Sequence, residues 1–128
     1  RDPNWARPFQ AVAEQVRNGD PTCRVELAFL EFMSPDLLEA GAGLVQAGCT
    51  AVDVVPLFLG AGGHVRKDLP MLMGQLRERH PSLTWALHRA VGEEPLVIQA
   101  MASAALLRAV AVGAETEAGA SSASGAGG

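Results

Sequence analysis

Apolar residues along this chain recur in two alternating rhythms, three or four apart and then every second position, and the alternation predicts the order of the elements. Trp5, Phe9, Val12 and Val16 follow helical spacing from about Asn4 to Asn18, and Gly19-Asp20-Pro21 stops that helix. Arg24 to Leu30 reads as the first strand, with Val25, Leu27 and Phe29 alternating against Glu26 and Ala28. Glu31 to Asp36 forms a loop into a second helix, for which Ser34 is the expected N-cap and Pro35 the first helical residue. That helix runs to about Ala47 and ends at Gly48. Its interior glycines, Gly41 and Gly43, each cost roughly 1 kcal/mol against alanine and permit close packing of helix on sheet. Thr50 to Pro56 is a nearly continuous apolar strand, with Asp53 expected near a rim of the sheet. Val65 to Arg79 is a helix carrying Leu69, Leu72, Met73 and Leu76 on one side, ended by His80-Pro81. Leu83 to His88 is the next strand, Val91 to Pro95 a loop, and Leu96 to Val112 an alanine-rich helix.

Strands that alternate with helices imply an α/β domain, a parallel sheet in a three-layer sandwich with right-handed crossovers. Residues 1–112 are expected to form one domain and 113–128, rich in Gly, Ala and Ser, a disordered tail. The 128 residues and 13.3 kDa fit a single core. A net charge of -4 and a pI near 5.3 speak against binding the phosphate backbone of nucleic acid. No apolar run approaches the roughly 20 residues of a membrane helix. Cys23 and Cys49 lack metal or redox spacing and read as small buried residues in a reducing, cytoplasmic setting; a disulfide between them remains open. The chain opens at Arg1 without an initiator methionine, which suggests a missing upstream piece.

The chemistry concentrates in Pro56 to Pro70, where an apolar strand breaks into Gly60-Ala61-Gly62-Gly63, presents His64, and continues into a charged helix. Strand ends of a parallel sheet share one edge, so Glu31 and His64 fall at the same rim, where a carboxylate and an imidazole hold a divalent metal or exchange protons near neutral pH. The glycine loop has a rival reading as a phosphate cradle, but it lacks the last glycine of Gly-x-G-x-x-Gly and any Gly-Lys-Ser/Thr ending. His80 and His88 suit capping or solvated roles better than metal binding. Met33, Met71 and Met73 read as packing residues, and Trp5 and Trp85 as core anchors.

These residues carry a family resemblance. Phe29-Leu30-Glu31 with Pro35, then Val54-Val55-Pro56-Leu57-Phe58-Leu59, then Gly62-Gly63-His64 with Asp68 and Pro70, then Gly92-Glu93-Glu94-Pro95, together resemble the small class II chelatases, which insert cobalt or iron into sirohydrochlorin. The resemblance runs from Arg1 to about Ala102. It implies a chelatase-like, flavodoxin-related fold with a tetrapyrrole cleft at the strand ends. It also implies His64 as metal ligand, Glu31 as its acidic companion, and Leu59, Gly60, Ala61, Gly62, Gly63 and His64 lining the substrate. Ser34 stands where relatives make a further substrate contact, often through an acid instead.

The implied reaction, within cobalamin or siroheme formation, replaces two pyrrole protons by one divalent ion, cobalt or iron, which is a substrate; no permanently bound cofactor is expected. Arg66, Lys67 and Arg7 are candidate anchors for the carboxylate-rich ring. Relatives place a strand ending in His-Gly-Ser directly before the Arg-Asp-Pro that is here Arg1-Asp2-Pro3, so the resemblance implies a truncated record whose other histidine lies upstream. A homodimer is the expected assembly, because the ring is large for one such domain. A non-catalytic flavodoxin-like module that binds tetrapyrrole or nucleotide is the alternative.

Overall fold

The computed structural model describes residues 3–60 and 62–115, and within them an α/β arrangement forms in the predicted order except for the first expected strand. A short 3₁₀ turn over Pro3–Ala6 leads into α1 (Arg7–Gly19), followed by α2 (Leu37–Gln46), β1 (Ala51–Val54), α3 (Gly63–Arg79), β2 (Thr84–Leu87), a second 3₁₀ turn over Val91–Glu93, and α4 (Pro95–Glu115). The last helix thus takes in Gly113 to Glu115, read from the sequence as tail; residues 116–128 lie outside the described part. No helix among the described residues is long and apolar enough to cross a membrane.

β1 and β2 pair in parallel, with Ala51 opposite Thr84 and Val54 opposite Leu87. Val52, Val54, Trp85 and Leu87 point to one face, where α2 and α3 cover them. The centre of that core is Val52, Met73, Leu76 and Trp85, and burial of Met73 and Leu76 contributes about 1.5–3 kcal/mol each. Trp85 is held at its polar end as well: the indole Nε1–H donates to the His80 carbonyl at 3.1 Å, and Arg77 donates to the Trp85 carbonyl at 3.1 Å. Trp85 is the core anchor that the sequence predicts. Trp5 is not, being 39% exposed and meeting Phe9 and Phe29 edge-on at 5.8 Å.

Local chemistry sets the ends of α2. Its N-cap is Asp36, two residues later than the Ser34 expected from sequence, because Asp36 and Glu39 form a reciprocal capping box at 2.8 Å in each direction. The Ser34 hydroxyl donates to the same Glu39 carboxylate at 3.0 Å. At the other end Gly48 has φ +93°, and the Gly48 and Cys49 amides close onto the Val45 and Leu44 carbonyls, a termination that a left-handed glycine favours. The two interior glycines differ. A Cβ on Gly41 would lie 2.7 Å from Leu76 Cδ2 and 3.3 Å from the Trp85 ring, whereas Gly43 has open space. Close packing of helix on sheet therefore depends on Gly41 alone.

Residues 24–28 are extended but form no ladder, and among the described residues no backbone–backbone hydrogen bond reaches them. Pairing begins only at Phe29, which bridges in parallel to Asp36 and donates to the Pro35 carbonyl at 2.9 Å. The expected first strand is thus an extended segment, since a strand needs a partner alongside and none lies there among the described residues. Between it and β1 runs an apolar groove of about 760 Å³, lined by Phe9, Val12, Val25, Leu27, Ala51 and Val55. Thr50 and Val54 direct their carbonyls to β2, so in a parallel ladder the peptide groups of Ala51, Asp53 and Val55 face this groove. The cysteines are both free; Cys23 is exposed and Cys49 half-buried, so only Cys49 approaches the buried role expected of both.

The contrast within α2 is measurable by urea denaturation. Gly41→Val lowers the unfolding free energy by about 1–3 kcal/mol through overpacking, while Gly43→Ala raises it by about 0.5–1 kcal/mol through helix propensity. Equal effects at the two positions would contradict the packing described.

Candidate functional site

The carboxyl ends of β1 and β2 lie at one edge, and the two segments that leave them stay together. Beyond the ladder, the His88 amide donates to the Val54 carbonyl, Val91 to Pro56 and Gly92 to Phe58, each at 2.9 Å. These bonds carry the paired backbone out to the rim, near Leu59 and Gly60 in sequence and just before the start of α3.

That start is bare. Gly62 is the N-cap of α3 and supplies no side-chain cap, and the first intrahelical bond is Arg66 N–H to the Gly62 carbonyl at 2.9 Å. The amides of Gly63, His64 and Val65 are therefore free to bond outward, at the positive end of the helix dipole. Gly60, Gly62 and Gly63 have nothing within 4 Å of where a Cβ would stand, and none adopts a left-handed backbone. Among the described residues neither packing nor conformation requires glycine there. Ala61 lies outside the described residues.

His64 occupies the first turn of α3 and is 75% exposed; its Nε2 meets Asp68 Oδ2 at 3.1 Å, one helical turn on. The carboxylate orients the ring from its Nε2 side, the relation by which an acid commonly steadies a metal-binding imidazole. Asp68 lies within the motif around His64, and its i, i+4 spacing from His64 is the sequence signal for this contact. Glu31 sits in the loop after the extended segment, exposed, with its carbonyl accepting from the Met33 amide at 2.8 Å. No ion pair or hydrogen bond joins Glu31 to His64, and no group of three or more His, Cys, Asp or Glu assembles among the described residues. Ser34 is exposed and engaged by Glu39, and Leu59 is 70% exposed beside the glycines.

The remaining histidines have other partners. His80 is the C-cap of α3, as its position before Pro81 predicts. His88 Nε2 lies 2.9 Å from Asp53 Oδ1, a cross-strand pair on the face opposite the core, and this gives the awkward charge within β1 a solvated partner. Among the candidate cations Arg7 reaches Asn4 Oδ1 at 3.5 Å, while Arg66 and Lys67 are exposed near His64. Of the methionines, Met73 is buried, Met33 half-buried and Met71 exposed.

Comparison with known proteins accords with this arrangement. The sirohydrochlorin cobaltochelatase of Methanocaldococcus jannaschii is 32% identical over 69 residues, 54% of this chain and 48% of that protein. The protein of the same name from Saccharolobus solfataricus is 46% identical over 50 residues, 39% of each. The matched stretches thus span less than half the length of these curated relatives. Among solved structures, a CbiX protein of Marinobacter aquaeolei VT8 superposes with a TM-score of 0.66 at 30% identity, over 84% of this chain and 89% of that one. SirB of Bacillus subtilis, solved with Fe3+, superposes with a TM-score of 0.69 at 24% identity, over 80% of this chain and 41% of its own, a likeness of fold. The α/β fold is thus that of the chelatases, and with the CbiX family model matching residues 1–106, the chain belongs to the CbiX family.

Proposed function

We propose that this chain carries the rim of a site that inserts a divalent metal, cobalt or iron, into sirohydrochlorin, within cobalamin or siroheme formation in the cytoplasm. The observation that carries this reading is the bare stretch Gly60, Gly62 and Gly63, open on its outer side and running into an uncapped helix start beside an oriented, exposed histidine. A carboxylate-rich macrocycle needs such a surface: close approach, amide donors and positive helix-end potential. The family membership and the cobaltochelatase relatives support the same chemistry.

The reaction exchanges two pyrrole protons for one metal ion, without electron transfer or a covalent intermediate. In this reading neutral His64 binds the incoming ion through Nδ1 while Asp68 holds the other side of the ring, and Glu31 accepts a proton or balances charge. Leu59, Gly60, Ala61, Gly62 and Gly63 receive the ring, Arg66 and Lys67 draw its carboxylates, and Ser34 adds a contact from the loop before α2. A second copy completes the enclosure around a ring too large for one domain.

In the full chain, His64→Ala lowers the rate of cobalt insertion, followed by the absorbance change of the ring, by about 100-fold or more. An unchanged rate contradicts the site. Asp68→Asn keeps the fold and costs about 10-fold to 100-fold in the same assay, as loss of a ring-orienting acid does at metal-binding histidines. Light scattering at micromolar concentration gives twice the single-chain mass; a single-chain mass counts against the dimer.

A further inference from the structure

We infer that Gly92 is a positioning residue: its lack of a side chain lets the Val91–Glu93 turn press directly on the backbone of Leu59 and set the height of the glycine loop. This rests on the reading of Leu59 to Gly63 as the tetrapyrrole cradle. Gly92 is buried, and a Cβ placed on it would lie 2.0 Å from the Leu59 carbonyl oxygen, 2.4 Å from its Cα and 2.5 Å from its carbonyl carbon. All three are main-chain atoms, so no side-chain rotation relieves the overlap. By contrast Gly60, Gly62 and Gly63 have no neighbour within 4 Å, so the steric demand for glycine falls on the turn that supports the loop and leaves the loop itself free.

The two sides of this contact are not equally able to yield. On the Gly92 side, the Glu93 and Glu94 amides close onto the Ala90 and Val91 carbonyls at 3.0 Å, and the Val97 and Ile98 amides onto Glu94 at 3.0 Å, so the turn is continuous with the 21-residue α4. On the other side, Leu59 is 70% exposed and is followed by a glycine. A side chain at 92 therefore displaces the loop. Moving the Leu59 oxygen from 2.0 Å to the tightest contact real Cβ atoms show, 3.0 Å, shifts it by 1.0 Å. An error of about 1 Å in a positioned group can cost about 100-fold in rate.

Gly92→Ala, which adds the Cβ, tests this in the full chain. Gly74→Ala, in α3 with nothing within 4 Å and no part in the site, is the control. With metal-free sirohydrochlorin as the probe, Gly92→Ala weakens binding about tenfold, the worth of one well-placed hydrogen bond. Its KM for the tetrapyrrole rises while its KM for the metal ion stays, whereas general destabilisation would lower kcat and leave both KM values alone.

A folded Gly92→Ala chain with wild-type affinity overturns the inference. So do Val91 and Gly92 amides that exchange in the wild type as fast as an exposed loop, a result readable even if the alanine variant fails to fold. Should the wild type bind no sirohydrochlorin, the functional reading fails instead. The clamp is then judged by amide exchange alone: faster exchange at Leu59, Gly60 and Gly62 in Gly92→Ala upholds it, and unchanged exchange rejects it.

Discussion

The rim of this protein depends on a line of backbone hydrogen bonds longer than the strands that begin it. β1 and β2 have four residues each, yet the pairing starts at Thr50 with Thr84 and persists, through His88, Val91 and Gly92, out to Phe58. Loops ordinarily release their peptide groups to water once a ladder ends, and gain mobility thereby. Here both segments leave the sheet together and stay joined, so the glycine loop and the first turn of α3 hang from a rigid support while remaining open on the outside.

The interior makes that support possible on one face only. Trp85 is packed against Met73 and Leu76, tethered at its indole nitrogen by His80 and at its carbonyl by Arg77, and Gly41 lets α2 close over it. Helix, strand and helix are thereby locked at the end opposite the rim, so the rim projects from a fixed base. The far edge of β1 faces the apolar groove and the extended segment beyond it, and there the energy comes from side-chain contact with no ladder beneath.

Legibility followed the range of the forces involved. Helix and strand order was readable because periodicity records which face meets the core, and the motif around His64 was readable because its residues are close in sequence. The cap of α2 was misplaced because Ser34, Pro35 and Asp36 all suit a helix start, and only the reciprocal bond between Asp36 and Glu39 decides among them. Residues 24–30 carry a strand pattern that alternation alone cannot turn into pairing. The bond between His88 and Asp53, 35 positions apart, was out of reach for the same reason. Gly92 was visible as part of a motif, but its reason, a backbone 2.0 Å from any added carbon, is purely spatial.

The same Asp53 has a consequence for how the molecule behaves in company. Among the described residues nothing pairs with the outer edge of β1, and such an edge is a template for another extended chain; β1 is otherwise apolar, with Ala51, Val52 and Val54. Asp53, 71% exposed and coupled to His88, puts a hydrated charge in the middle of that edge. A like strand laid against it in register brings two such carboxylates together and displaces their water. Among the described residues, the charge thus disfavours pairing of this edge with a second copy of itself, while the opposite face of β1 stays packed on Trp85.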